Sequence, residues 1–142
     1  MRITLNIDTV INAPIDQVWH HWTSPSSITQ WNNASDDWHC PLAENNLEEG
    51  GSFTYTMSAK DGSNSFNFQG IYDEVIIYKS IRYTLNDGRK VHIKFDATMT
   101  DGKDTTTITE EFEAENINPL EMQEQGWKMI LDNFKKHVES LQ

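Results

Sequence analysis

The chain has 142 residues, of which 37% are hydrophobic and 11% aromatic, and its 22 acidic against 11 basic side chains give a formal net charge of −11. That length supports one core without metal or disulfide staples, and the acidity argues against nucleic acid or anionic membrane surfaces as partners, because their phosphates repel it. Cys40 is the only cysteine, so no internal disulfide can form and a reducing, cytoplasmic setting is expected. No run approaches the ~18 apolar residues of a membrane span, and the N-terminus lacks the apolar block of a signal peptide.

In chain order, Ile3, Leu5, Ile7 and Ile11 alternate with Arg2, Thr4, Asn6 and Asp8, which predicts a half-buried strand. Asn12-Ala13-Pro14 ends it. Pro14 suits the first turn of a helix whose apolar side is Ile15, Val18, Trp19 and Trp22. Ser24-Pro25 then predicts a cap and first position of a second short helix ending near Trp31. The polar stretch Asn32 to Glu49 has no clear period and reads as a long loop, a class of segment that often forms lids or binding elements.

Beyond Gly50-Gly51 the period is two. Phe53, Tyr55 and Met57 share one face; Phe66 and Phe68 follow; Val75, Ile77, Ile81, Tyr83 and Leu85, then Val91, Ile93, Phe95, Ala97 and Met99, then Ile108, Phe112 and Ala114 mark further strands. Asp61-Gly62, Asp87-Gly88 and Asp101-Gly102 are hairpin signals between them, and tight turns join antiparallel strands only. Asn118-Pro119-Leu120-Glu121 predicts an N-cap, a first-position proline and an acid opening a long terminal helix. Its apolar stripe is Trp127, Ile130, Leu131, Phe134, Val138 and Leu141. Lys128, Lys135 and Lys136 read as its solvated face, balancing the C-terminal dipole. The order of elements is α+β: a curved antiparallel sheet of about six strands, two short helices after the first strand, and one long helix over the concavity. A single helix rarely fills such a concavity, so a pocket is expected there.

Ala13-Pro14-Ile15 with Val18-Trp19, Trp22-Thr23, Gln30-Trp31, Gly50-Gly51-Ser52-Phe53, Asp61-Gly62, Gly70-Ile71-Tyr72, and Gly126-Trp127 with Leu131 resemble a known group of sequences. That group is the START-like (SRPBCC, helix-grip) superfamily, in its branch of activator of heat-shock protein 90 ATPase homologue-like proteins. The resemblance covers essentially the whole chain, residues 1–142, as a single domain. It implies a helix-grip fold with a cavity between the sheet and the C-terminal helix. Members bind lipids, hormones and polyketide intermediates, and some catalyse cyclisation or hydrolysis. It therefore implies binding of a small hydrophobic or aromatic ligand, with a cyclase or hydrolase type of enzyme using the same cavity as the alternative. A third reading is a co-chaperone-like activator. The co-chaperone that names the branch carries an additional N-terminal domain for clamping the chaperone, whereas this chain starts at its first strand.

The expected cavity lining is Trp31, Trp38, Phe53, Tyr55, Phe68, Trp127, Leu131 and Phe134, rings that can equally fill a core. Orientation of a ligand is expected from Tyr55, the indole N–H groups and a loop acid at Asp36-Asp37. Gly126, inside the terminal helix, costs ~1 kcal/mol relative to alanine, and reads as a place where backbone approaches ligand or sheet closely. His20, His21, His39 and Cys40 are zinc-ligand types, but adjacent helical histidines diverge by ~100° and His39-Cys40 lacks a second spaced pair, so no metal is assigned. Asp36-Asp37, Glu48-Glu49 and Asp73-Glu74 read as solvated acids. No serine nucleophile elbow, Cys-His-Asn set or glycine-rich phosphate loop appears, so no catalytic residue and no cofactor is assigned.

Overall fold

A computed structural model describes residues 2–142. β1 (Thr4–Ile11) is followed by α1 (Ile15–Thr23) and α2 (Pro25–Trp31). Then come β2 (Trp38–Asn45), β3 (Ser52–Ala59), β4 (Ser65–Ile76), β5 (Ser80–Leu85), β6 (Lys90–Thr100) and β7 (Lys103–Glu113), with α3 (Leu120–Glu139) last. The strands form one antiparallel sheet in the order β1-β7-β6-β5-β4-β3-β2. The first strand thus returns beside the last, and everything between is a meander. This is the helix-grip α+β arrangement, with seven strands rather than about six.

The extra strand is β2, inside the segment expected to be a loop. Its register shifts between His39 and Leu42, and its buried residues, Cys40 and Ala43, fall three apart. A bulge inserts a residue and destroys the period of two, which is the signal the sequence reading relied on. The three Asp-Gly turns form as expected. Asp101 and Gly102 both take positive φ, 51° and 77°, the conformation that a tight hairpin of the right twist requires. The hairpin between β4 and β5 has no glycine: Tyr78 takes φ of 66°, and Ile77, expected on a strand, is exposed in the turn. Pro25 opens α2, but Pro14 and Pro119 stand just outside α1 and α3 with extended ψ of 157° and 145°.

Helix α3 lies along β1 and against α1 and α2. Leu131, Phe134 and Val138 are fully buried, and Phe134 meets Trp22 and Trp31 edge-on, each at 4.8 Å. The α3 lysines do more than face water. Lys128 Nζ donates to the Asp8 carbonyl at 2.5 Å, and Lys135 Nζ donates to the Val10 carbonyl. β1 is an edge strand with unpaired carbonyls on its outer side, so cations from the neighbouring helix cover it.

Two glycines behave oppositely. A Cβ at Gly70 would sit 2.6 Å from the Thr84 carbonyl oxygen and 3.1 Å from the Phe53 ring, so β4 and the ring above it demand glycine there. A Cβ at Gly126 would meet nothing within 4 Å, which corrects the expectation of close backbone approach. Gly126→Ala is therefore expected to raise stability by about 0.5–1 kcal/mol, whereas Gly70→Ala lowers it by about 1–3 kcal/mol. Chemical denaturation of the two variants reads both signs.

Candidate functional site

Between α3 and the concave face of the sheet lies a half-open hollow of about 290 Å3. From α3 it is lined by Gln123, Trp127 and Ile130, which follow one another at helical spacing on a single face. The opposite wall is Tyr55 and Met57 of β3, Phe66 and Phe68 of β4, Tyr83 of β5 and Glu110 of β7. Trp22, Trp31 and Asn32 close one end, while Arg89, Glu115 and Asn118 rim the other. A wider groove of about 590 Å3 runs between Ile76–Arg82 and β6 on another surface. It is shallower, and Glu74 there is already paired with Arg82 at 3.1 Å.

Aromatic packing fixes the wall. Trp127 lies flat on Phe112, ring centroids 4.1 Å apart and 6° from parallel, and Phe68 meets it edge-on at 5.9 Å. Tyr55 and Phe68 stack at 6.4 Å. Trp31 stacks on Trp22 at 5.1 Å and its Nε1 donates to the His21 carbonyl at 3.0 Å. That indole N–H is consumed and cannot orient a ligand, contrary to expectation. Gln123 is consumed too: its Nε2 donates to the carbonyls of Asn118 and Glu115, at 2.8 and 3.2 Å, and its Oε1 accepts from the Glu115 N–H at 2.8 Å. It staples the β7–α3 connection to the helix.

Glu110 is the chemical exception in this wall. Its strand neighbours are Ile7 and Ile93, it is only 5% exposed, and burial pushes its carboxyl up from 4.5 to about 8, with Lys128 pulling it partly back. Among the described residues no group donates a hydrogen bond to its side chain. Burial likewise holds the Tyr83 phenol well above its ordinary value, with the Glu110 charge adding to the effect, and burial does the same to Tyr55. Arg89, the cation of the lining, is already paired with Asp87 at 2.7 Å.

Of the eight aromatic and aliphatic residues expected at the cavity, the structure brings four to the wall: Trp31, Tyr55, Phe68 and Trp127. Phe53 packs instead over Gly70 and against Tyr83 at 4.8 Å. Leu131 and Phe134 point from α3 into the helix-packed core. Trp38 sits at the start of edge strand β2 beside Phe66, at 5.8 Å. Asp37 is outside the wall, exposed and accepting from Ser35 Oγ at 2.6 Å. His21 pairs with Ser27 Oγ at 2.9 Å and His39 with the Ser58 carbonyl at 3.0 Å. Among the described residues no three His, Cys, Asp or Glu side chains are grouped to hold a metal ion.

Sequence reasoning missed Glu110, Tyr83, Arg89 and Gln123 as lining residues. Glu110 was findable by phase. Thr106, Ile108, Phe112 and Ala114 are buried, and period two along β7 places position 110 on that same inward face.

A family model described as "Activator of Hsp90 ATPase homolog 1-like protein" matches residues 12–139. The solution structure of an AHSA1-like protein from Aeromonas hydrophila is 37% identical, with a TM-score of 0.87 over 98% of this chain and 94% of that one. A protein from Cytophaga hutchinsonii is 47% identical, with a TM-score of 0.79 over 98% and 92% of the two chains. A protein from Chromobacterium violaceum shares the fold at 21% identity, with a TM-score of 0.80 over 96% and 98%. No curated protein matches this chain.

The position of Glu110 has a measurable consequence for stability. Between 4.5 and about 8 the folded state keeps a proton that the unfolded chain releases. The stability this contributes is complete below the lower value and is lost as pH rises through the upper one. The wild type is expected to lose roughly 3–5 kcal/mol relative to Glu110→Gln across that window. Parallel denaturation curves measured at several pH values test this; a pH-independent difference would show that the carboxyl is not buried.

Proposed function

The chain belongs to the Activator of Hsp90 ATPase homolog 1-like family, and from that premise we propose that it binds a small hydrophobic or aromatic molecule in the hollow under α3. The observation that carries this reading is the wall itself, in which Trp31, Tyr55, Phe68 and Trp127 present ring surface to a space of about 290 Å3. Rings held by stacking and edge contacts are preorganised, so little freedom is lost when a guest enters. Each Å2 of apolar surface removed from water contributes about 25 cal/mol before those costs. The protein acts as a single START-like domain in the cytoplasm, where the buried and unpaired Cys40 stays reduced. Among the described residues no helix is long and apolar enough to cross a membrane.

A second reading has one specific observation in its favour. An enzyme of the hydrolase or cyclase kind needs a titratable group inside the cavity, and Glu110 is one, with a pKa near 8, in the range where a carboxyl can deliver a proton at neutral pH. Hydrolysis of a naphthyl ester by the wild type and not by Glu110→Gln carries that reading. Absence of turnover leaves binding as the function.

Binding is tested by calorimetric titration with naphthylmethanol. One saturable site is expected. Ile130 is half-buried on the wall, so Ile130→Trp pushes an indole into the hollow and is expected to weaken binding by about ten-fold or more. Unchanged affinity in that variant places the probe elsewhere and removes the cavity reading.

A further inference from the structure

The polar groups around the hollow are unequal in what they have left to offer. Gln123 has spent both its amide nitrogen and its oxygen on the β7–α3 connection. Glu115 Oε1 accepts from the Asn118 N–H at 2.6 Å, and Asn32 turns its amide toward Met57 Sδ at 3.4 Å and Cys40 Sγ at 3.9 Å. Arg89, the guanidinium of the rim, is held by Asp87. Glu110 is different. It is buried, it lines the hollow, and among the described residues nothing donates to it.

The geometry points to a ligand that joins a flat apolar body to a protonated amine, the ammonium seated on Glu110 and the body among the rings of Trp127, Phe68 and Tyr55. This rests on the cavity-binding reading above and specifies its ligand class. Three features converge on a cation. An unpaired carboxylate inside an apolar wall gains most from a charged donor, because hydrogen bonds to ions are the strong ones. Aromatic faces attract ammonium groups through their negative quadrupole. A carboxylate ligand would bring a second acid against Glu110, and Arg89, the rim cation, already shares its charge with Asp87 at 2.7 Å.

Few other charges face Glu110. β1 and β6 present Ile7 and Ile93 beside it, β5 presents the Tyr83 phenol and α3 presents Lys128, and Arg89 and Glu115 stand at the rim. Lys128 is itself engaged with the Asp8 carbonyl and, at 3.4 Å, with Asp132. The carboxyl holds its proton up to about 8, so an ammonium ligand must displace that proton, and its binding strengthens as pH rises toward that value.

Calorimetric titrations of the full chain with naphthylmethylamine, naphthylmethanol and naphthoic acid, at about pH 6.5 and about pH 8.5, test this. At the higher pH the amine is expected to bind about 10- to 100-fold more tightly than the alcohol, the range of a hydrogen bond to a charged group. At the lower pH, amine binding is expected to release protons, seen as a dependence of the heat on buffer ionisation. In Glu110→Gln, and in Glu110→Leu as a second variant without any carboxyl, the amine-to-alcohol ratio is expected to fall to within about two-fold. Equal binding of amine and alcohol by the wild type, or tightest binding of the acid, overturns the ammonium assignment and leaves the cavity reading standing. Failure of all three probes to bind overturns both.

Discussion

Large rings prop α3 at two places, one on the sheet and one on the short helices. Two turns into α3, Trp127 rests flat on Phe112 at 4.1 Å. Two turns later Phe134 is wedged against Trp22 and Trp31, each at 4.8 Å. A helix is a stiff rod and the sheet beneath it is curved, so a rod resting on β7 at Trp127 and on α1 and α2 at Phe134 leaves the space above β3 and β4 open. Each such ring buries on the order of 150–250 Å2, so the spacers are also a large part of the core. The lysine bonds from Lys128 and Lys135 to the β1 carbonyls then fix the helix along the edge strand. Packing and site overlap, since Trp22, Trp31 and Trp127 both support the helix and line the wall.

The wall is not uniformly apolar. The α3 side carries an amide whose hydrogen bonds are all internal, while the sheet side carries one carboxyl with none. That asymmetry gives the hollow a direction. A symmetric apolar guest could enter either way round, whereas a guest with an ammonium end is directed toward Glu110. Specificity in such a cavity comes from the group left unpaired rather than from the rings, which accept any flat surface of suitable size.

Much of the fold was legible because its signals are local. Alternation in β1, β6 and β7, the Asp-Gly turns, and the stripe from Trp127 to Val138 each lie within one element and need no knowledge of neighbours. Legibility ended where a tertiary contact overrides the local pattern. The bulge between His39 and Leu42 removes alternation from β2, and Tyr78 makes a turn without the glycine that positive φ favours. At the site, ring type identified Trp31, Tyr55, Phe68 and Trp127, but it could not separate them from Phe53 and Phe134. Which ring lines a hollow and which fills a core depends on what lies across from it. Phe53 faces a glycine and folds down onto it; Phe68 faces the helix across a gap.

Glu110 was overlooked for a related reason. Read by composition, Glu110-Glu111 belongs with the other paired acids of a strongly acidic chain, and solvated acids are the rule in such a chain. Read by phase, the two residues part company at once. Glu111 faces outward, where it pairs with Lys94 at 2.9 Å and its carboxyl is held low, chiefly by that hydrogen bond. Glu110 faces inward, where it has no such partner and its carboxyl is held high. One residue of offset along β7 thus separates a surface ion pair from a buried proton, and the pleat of the strand is the only thing that distinguishes them.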